Sequence, residues 1–205
     1  DIQAAQNVFY LYNMVYLNGV AKGELDHDMD GVAEPREDLA NRMDYLGINY
    51  YSRITVEGME EALLPELSPL STFNFLTMQM WEVYPRGLYE MIQVAHEQFT
   101  LTVNVTESGV RGPAYAAPGR DSLAQALSWI HRALQEGMEV GGYLSWTRMA
   151  RYGWNNGMQM RFGLFEVGID DPDKPRSPRP FSELYINISS SRSISPELQA
   201  KYPID

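Results

Sequence analysis

The sequence contains no cysteine, and none of its apolar runs approaches the ~18 residues that a membrane-spanning helix needs. The first absence excludes disulfide bonds and thiolate metal sites, and the second argues against a transmembrane span. No basic segment followed by an apolar one opens the chain, so we expect no signal peptide. These absences fit a reducing compartment, and we predict a cytoplasmic protein that binds no membrane.

Basic residues are scarce relative to acidic ones. The chain has 16 Lys and Arg against 27 Asp and Glu, which gives a formal net charge of −11. Nucleic acids and anionic membranes repel a surface of this sign, so neither is expected as a partner. The 205 residues are 44% hydrophobic, which is enough for a packed core in one large domain or two small ones.

Helical and extended patterns alternate along the chain. The first predicted helix ends at Gly23, and a later one begins at Asp121 as its N-cap and ends at Gly137. The alternation predicts parallel strands with helical crossovers, and therefore an α/β layer or barrel. The predicted helices are 3–22, 87–99, 121–136 and 177–188, the last with prolines near its start, and a short amphipathic stretch with Leu39, Met43 and Leu46 is also expected to be helical. The predicted strands are 44–56, 101–107, 141–147 and 161–168, with a long loop over 57–80.

One predicted strand ends on a carboxylate. The stretch LTVNVTESGV (101–110) alternates apolar and polar residues and then reaches Glu107 just before a turn. In α/β barrels the carboxyl ends of the strands face the active site, so an acid at this position is a catalytic candidate. A helix N-cap or a surface acid at the turn is the alternative explanation.

Neighbouring predicted strands also end on polar or aromatic side chains. Asn49 and Tyr51 lie two residues apart and therefore share one face of a strand. Trp146 ends the next strand, and Trp154 lies on the loop that follows it. Together with Glu107 this set suits a polyol, because indoles stack on sugar C–H faces while amide and phenol groups order hydroxyls. For any single aromatic residue, ordinary core packing is the alternative.

Four segments, DYLGINYYSR, VTESGV, GYLSW and RFGL, occur here in the order and spacing of a known family. They resemble the retaining β-glycosidases of glycoside hydrolase family 1, in particular the branch of archaeal and thermophilic bacterial enzymes. The resemblance runs from about Gly23 to about Tyr185. It implies a hydrolase of carbohydrate metabolism in which residues 1–205 form the C-terminal portion, about strands 6–8, of one (β/α)8 TIM barrel.

The resemblance also implies roles for individual residues. Glu107 corresponds to the nucleophile, Tyr51 to its tyrosine partner, Trp146 and Trp154 to sugar-stacking residues, and Asn49 to an amide that lines the site. Retaining glycosidases use two carboxylates about 5 Å apart in a double displacement. One attacks the anomeric carbon of the β-glycoside, and the other protonates the leaving group and then activates water. No cofactor is required by this chemistry.

The second carboxylate is missing from this sequence. In the family it belongs to a TLNEP-like motif on the fourth strand, which does not occur here. The chain also opens at Asp1 rather than Met, and three open strands of a barrel would expose unpaired edges. We therefore expect the N-terminal portion on another chain or removed, and activity only after the two are combined. The alternative is a non-catalytic sugar-binding or structural half-barrel; the sequence leaves a homo-oligomer open.

The loop before Trp154 departs from the family pattern. It reads ARYGW where the family reads like DNFEW, so Gly153 replaces the Glu that binds the distal sugar hydroxyls. Arg148 and Arg151 add positive charge nearby, which suggests an anionic sugar as substrate. The alternative is that both arginines face solvent. Ser108 replaces the Asn of TENG, which is a milder change.

An acidic loop, DHDMDGVAEPRE (26–37), follows the EF-hand pattern between two predicted helical stretches. Alternate acids supply oxygens, a glycine permits the sharp turn, and a twelfth-position Glu binds bidentately. Ala33 and Pro35 fit the pattern poorly. The prediction is a structural calcium site on the barrel face opposite catalysis, or a calcium-stabilised interaction module; the alternative is a solvated acidic connection. The predicted ligands are Asp26, Asp28, Asp30 and Glu37.

Overall fold

The computed structural model describes residues 1–59, 82–109, 117–150, 152 and 162–204, without the side chains of 117–120. Two compact units emerge, Asp1–Asp44 with Arg53–Glu82 and Tyr45–Ser52 with Val83–Asp205. Most of the predicted loop over 57–80 lies outside the described residues, as do Arg151, Gly153 and Trp154. Among the helices in the described part of the chain, none is both long and apolar enough to cross a membrane.

The first unit begins with a helical segment of three parts. Helix α1 (Ile2–Phe9) runs through a π-helical stretch (Tyr10–Met14) into helix α2 (Val15–Lys22). Ala4 and Val8 are buried and pack with Leu11 and Val56. Gly23 ends the segment with a φ of 75°, as predicted, and a Cβ there would stand 2.8 Å from the carbonyl oxygen of Arg36. Only glycine fits this left-handed, crowded position without strain.

The acidic loop is closed by a short hairpin. Strand β1 (Glu24–Leu25) pairs antiparallel with strand β2 (Glu34–Pro35). The expectation of a helical stretch after the loop is wrong, because residues 36–45 form turns and bends. Local side-chain hydrogen bonds replace helical backbone hydrogen bonds there. The Arg36 guanidinium donates two hydrogen bonds to the Asp38 carboxylate, and the Arg42 guanidinium donates to the Asp38 carbonyl.

The second unit is built on a three-stranded parallel sheet. Strands β3 (Leu46–Tyr50), β4 (Val103–Ser108) and β5 (Val140–Ser145) lie in sequence order. Helix α3 (Arg86–Phe99) connects β3 to β4, and helix α4 (Ala117–Gln135) connects β4 to β5. The predicted parallel strands with helical crossovers are therefore confirmed. Helix α3 packs on β3 and β4 and helix α4 on β5, burying Leu46, Ile48, Leu88, Ile92, Val103 and Val105.

The other face of the sheet is polar and small. Gly47 and Asn49 on β3 are exposed, and Asn104 and Thr106 on β4 are half-buried. A Cβ at Gly141 would stand 2.6 Å from Asn104 Oδ1, so the glycine gives that amide its space. This face therefore carries hydrogen-bonding groups instead of an apolar core.

Two strands and two helices complete the described part of the second unit. Strand β6 (Phe165–Val167), within the predicted segment 161–168, pairs antiparallel with strand β7 (Arg176–Pro178). Helix α5 (Ser182–Ser191) confirms a helix in the predicted segment 177–188 but starts later than expected, because Arg176–Pro178 form β7 and the prolines precede the helix. Helix α6 (Pro196–Lys201), which we did not predict, starts at a Ser195 N-cap that accepts from the Leu198 amide.

The predicted N-cap of helix α4 is wrong. The helix begins at Ala117, four residues before Asp121, so Asp121 lies inside it. Pro118 falls at the second helical position, where its fixed φ suits the first turn and its missing N–H is no loss. Pro118 therefore belongs to the first turn of the helix.

Candidate active site

The carboxylate and the phenol singled out from the sequence meet at the carboxyl end of the sheet. Tyr51 comes directly after β3, and Glu107 lies near the end of β4. The Tyr51 hydroxyl donates a hydrogen bond of 2.7 Å to Glu107 Oε2. A bond to an ionised acceptor is about twice as strong as a neutral one, so this contact holds the carboxylate in a defined place.

A β-bulge decides which way Glu107 points. Val105 pairs with Ile48 but Glu107 pairs with Asn49, so β4 has one extra residue, Thr106. The pairing with β5 shows the same extra residue between Val105 and Ser108. Val103 and Val105 are buried against the helices, and strict alternation would send Glu107 to that face. The bulge re-aims the carboxylate away from the apolar core.

The chain after Glu107 is clamped to the end of β5. The Trp146 amide donates to the Ser108 carbonyl at 2.7 Å. Gly109 sits so close to the Trp146 carbonyl oxygen that an added Cβ would approach it within 3.0 Å, a separation that real Cβ atoms essentially never show. The turn after the carboxylate therefore requires glycine because of backbone proximity, not because of an unusual φ angle.

An aromatic ring not assigned from the sequence supports the phenol. Phe162 is buried, and its ring meets the Tyr51 ring edge to face, with centroids 5.9 Å apart at 71°. Such pairs contribute about 0.5–1.5 kcal/mol beyond area burial. Phe162 belongs to the RFGL segment, which helped to identify the family but carried no residue role; its apolar ring gave no chemical signal by itself.

A second tyrosine backs the Glu107 segment. Tyr143 pairs with Val105 in the sheet, and its hydroxyl lies 3.5 Å from the Ser108 carbonyl, a long contact. Burial raises the pKa of Tyr143 to about 12, so the phenol stays neutral across the ordinary pH range. Tyr185 on helix α5 donates to the Tyr143 carbonyl at 3.4 Å, which ties that helix to β5.

The structure places only some of the other predicted substrate-binding residues near Glu107. Asn49 lies beside Glu107 in the register of β3 and β4, and its Oδ1 accepts from Thr106 Oγ1 at 2.8 Å. Trp146 follows β5, half-buried. Arg148 is exposed, and its backbone carbonyl accepts from the Phe165 amide at 2.9 Å. Trp154 and Arg151 lie outside the described residues.

The acidic loop brings together three of its four predicted ligands. Oxygens of Asp26, Asp28 and Asp30 lie within 4.8 Å of one another, whereas Glu37 is not part of this group. Asp26 is only 1% exposed, and its oxygens accept from the amides of Asp30 and Gly31 at 3.0 and 2.8 Å. The Tyr10 hydroxyl, at 2.9 Å, is a third donor. The calcium site stays a prediction.

His27 and Glu34 face each other on the surface of the same loop. His27 Nδ1 and Glu34 Oε2 are 3.1 Å apart. This hydrogen bond raises the pKa of His27 and lowers the pKa of Glu34, with the attraction of the two charges acting in the same directions. Asp28 lies close enough to share a metal ion with this pair, but exposed acidic groups are common without one.

The sheet and its strand-end contacts define a class of protein. Parallel strands with helical crossovers are the arrangement of β/α barrels, whose active sites lie at the carboxyl ends of the strands, where this carboxylate and phenol are bonded. A sequence model described as Glycosyl hydrolase family 1 matches residues 1–194. The chain belongs to glycosyl hydrolase family 1, as the resemblance predicted, and enzymes of this family need no cofactor.

Curated relatives include archaeal enzymes. The β-galactosidase of Sulfolobus acidocaldarius is 34% identical over 97% of this chain and 41% of its own length. That of Pyrococcus woesei is 30% identical over 97% of this chain and 42% of its own length. The chain spans less than half the length of these relatives.

Solved structures give the same picture for the fold. The β-glycosidase from Pyrococcus horikoshii superposes with a TM-score of 0.81 at 26% identity, covering 100% of this chain and 47% of that one. The β-glycosidase from Thermosphaera aggregans superposes with a TM-score of 0.77 at 27% identity, covering 99% of this chain and 43% of that one. The chain therefore has the fold of part of a (β/α)8 barrel.

Proposed function

We propose that this chain provides the nucleophile of a retaining β-glycosidase, with Glu107 as the attacking group and Tyr51 as its partner. In this proposal residues 1–205 form the C-terminal portion of one barrel domain, about strands 6–8, and act in the cytoplasm. The portion of the barrel with the acid/base Glu comes from another chain or from a preceding segment. The 2.7 Å hydrogen bond between Tyr51 and Glu107 is the observation that carries the proposal.

The geometry suits a double displacement. Glu107 forms a C–O bond to the anomeric carbon while the glycosidic C–O bond breaks, and the leaving group takes its proton from the acid outside this chain. Water, deprotonated by the same group, then attacks the anomeric carbon, and the C–O bond to Glu107 breaks with return of the carboxylate. Tyr51 orders Glu107 by its hydrogen bond, and Trp146 and Trp154 provide faces for the sugar ring.

Sugar preference is a separate part of the proposal. Gly153 replaces the Glu expected for distal hydroxyls, and the cations Arg148 and Arg151 lie nearby in the sequence. One relative, 26% identical over 83% of this chain, is the 6-phospho-β-glucosidase GmuD of Bacillus subtilis. An anionic sugar at these arginines predicts faster turnover of 4-nitrophenyl β-glucoside 6-phosphate than of the neutral glucoside. The reverse order would reject the anionic assignment.

A non-catalytic half-barrel is the second candidate. The missing TLNEP-like motif and Gly153 favour it, because they remove the acid/base and one expected sugar contact. In that case the strand-end residues would bind sugar or a partner chain without forming a covalent intermediate.

Covalent labelling separates the two candidates. The reagent is 2,4-dinitrophenyl 2-deoxy-2-fluoro-β-glucoside, whose leaving group departs without acid, so labelling tests the nucleophile alone. The chain is treated by itself and after co-expression with the preceding portion of the S. acidocaldarius β-galactosidase. Mass spectrometry of peptides is expected to locate the fluoroglycosyl group on Glu107.

Two variants control the labelling experiment. Glu107→Gln should remove the adduct, whereas Glu97→Gln, which changes a carboxylate on the exposed side of helix α3, should retain it. The co-expressed protein should also hydrolyse an aryl β-glycoside, and Glu107→Ala should abolish that activity. No adduct in either preparation, or hydrolysis at the parental rate without Glu107, would reject the proposal.

A further inference from the structure

The bulge in β4 places two consecutive side chains in contact with the β3 segment. Thr106 reaches Asn49, and Glu107 reaches Tyr51, two residues further along. In a regular strand, consecutive side chains point to opposite faces and could not both make such contacts. Thr106 is therefore tied by geometry to the same site as Glu107, although its residue type suggests no chemistry.

The Thr106 hydroxyl determines how the Asn49 amide can bind. Thr106 Oγ1 donates to Asn49 Oδ1 at 2.8 Å, so the acceptor side of the amide is engaged. An asparagine amide has two N–H donors besides that oxygen. Within the described residues the Asn49 side chain makes this one hydrogen bond, and Asn49 is exposed beside Glu107 in the register. Among these residues neither N–H donor is engaged, which leaves both for a ligand.

A glycine makes this contact sterically feasible. Gly47 precedes Asn49 on the same face of β3, and a Cβ there would lie 3.2 Å from Thr106 Oγ1 and 3.3 Å from Thr106 Cγ2. Such contacts are tighter than nine in ten real Cβ contacts, so a side chain would push Thr106 aside. Gly47 therefore lets the hydroxyl sit against the Asn49 amide.

We infer that Thr106 is a positioning residue that fixes Asn49 with its N–H donors presented to a hydroxyl of the sugar bound at Glu107. The inference rests on the proposed function and adds a specificity determinant to it. The group recognised is a sugar hydroxyl, because an amide N–H donates to a hydroxyl oxygen without requiring charge at that position. Without Thr106 the amide can rotate by half a turn and present its oxygen instead.

The test measures sugar binding and chemistry separately. 1-Deoxynojirimycin, an iminosugar with the hydroxyl pattern of glucose, protects Glu107 from the fluoroglucoside, and its protection constant reports binding. Thr106→Val keeps the shape and removes the donor; we expect protection to weaken about 10-fold, as for loss of one hydrogen bond. The limiting labelling rate should change less than about 3-fold, since Glu107 and Tyr51 are untouched. Thr106→Ser keeps a hydroxyl and should restore parental protection.

A double-mutant cycle excludes a purely structural role. If Thr106 acts through Asn49, Thr106→Val should weaken protection less than about 2-fold in an Asn49→Ala background. Equal effects in both backgrounds, or no effect of Thr106→Val in the parent, would overturn the inference while leaving labelling of Glu107 intact. Absence of labelling in the parental protein would instead overturn the proposed function, and this inference with it.

Discussion

Two carboxylates at strand ends differ in how many hydrogen bonds they accept. Asp26 follows β1 in the first unit, is 1% exposed, and accepts from two backbone amides and the Tyr10 hydroxyl. Glu107 lies in β4 of the second unit, is half-buried, and accepts from the Tyr51 hydroxyl through one oxygen. The sequence made both acids functional candidates, and their surroundings favour different roles for them.

The number of bound donors explains the difference. An ionised carboxylate has about four lone-pair sites, and Asp26 uses three of them to hold its own loop. The Glu107 oxygen not bonded to Tyr51 has no assigned protein donor within the described residues. A nucleophile needs such an oxygen, whereas a structural anchor is more effective when its oxygens are saturated. Counting donors therefore separates the two roles where position along a strand does not.

The same substitution at both acids should give the largest contrast. Glu107→Gln should lower the labelling rate at least about 10³-fold, because an amide is not a nucleophile, with stability changed by less than about 0.5 kcal/mol. Asp26→Asn should destabilise the acidic loop by about 1–3 kcal/mol, because a donor replaces an acceptor. Labelling kinetics measure the first effect, and hydrogen exchange of the Asp30 and Gly31 amides measures the second. Undiminished protection of those amides would contradict the anchor role.

The clamp behind Glu107 gives the next largest expected effect. Gly109→Ala forces a Cβ against the Trp146 carbonyl, so the turn must shift and take the carboxylate with it. We expect an approximately 100-fold slower labelling reaction and a loss of about 1–3 kcal/mol, as for other overpacked sites. Gly142→Ala on β5 is the matched control, because its Cβ would make an ordinary contact of 3.6 Å with Asn104. Similar losses for both variants would reject the clamp.

Removing the phenol tests the carboxylate contact alone. Tyr51→Phe keeps the ring against Phe162 but removes the donor to Glu107. Hydrogen bonds to charged groups contribute about 1.5–3 kcal/mol, so labelling should slow by about 10- to 100-fold. Tyr50→Phe, which removes a donor to the Tyr84 carbonyl, is the control and should leave labelling within about 3-fold. A parental rate for Tyr51→Phe would show that the contact has no catalytic effect.

The corresponding tyrosine in the first unit should matter for stability at high pH. Burial, followed by the hydrogen bond to Asp26, raises the pKa of Tyr10 to about 12. Its contribution is therefore fully present below about pH 10, the unfolded value, and is lost as the pH rises through about 12. Tyr10→Phe should cost about 1 kcal/mol at neutral pH and remove that alkaline loss. Denaturant unfolding at pH 8, 10 and 11.5 measures the difference, and parallel curves would contradict it.

Most helices and strands of the fold were predictable from the periodicity of apolar residues in the sequence. Helical patterns predicted helices α3 and α4, and the alternation of apolar and polar residues predicted strand β4 between them. Gly23 and Gly137 ended their helices because both have positive φ angles, 75° and 87°. Where local side-chain bonds decided the structure, as at Asp38 after the acidic loop, periodicity predicted a helix that does not form.

The candidate site was predictable in its members but not in its geometry. The resemblance paired Glu107 with Tyr51, and the structure bonds them. The extra residue at Thr106 was not predictable from the sequence. A bulge is defined by how β4 pairs with β3 and β5, and the residue pattern of β4 alone does not show it. Phe162 was missed for a related reason, since it reaches Tyr51 from 111 residues further along the chain.

Calcium binding by the acidic loop is the smallest effect expected. It would give Asp26 a ligand-binding role in addition to a structural one, and so reduce its contrast with Glu107. Because Asp26 already accepts three hydrogen bonds and Glu37 lies apart from the group, Asp28 and Asp30 would provide most of the ligand oxygens. We therefore expect weak binding, at about 10⁻⁴–10⁻³ M, with a calorimetric signal and an upward thermal shift in calcium. Asp28→Asn with Asp30→Asn should remove both, while magnesium should give neither. No heat and no shift at 10-fold excess over about 10⁻³ M would leave the loop as a self-contained turn held by Asp26.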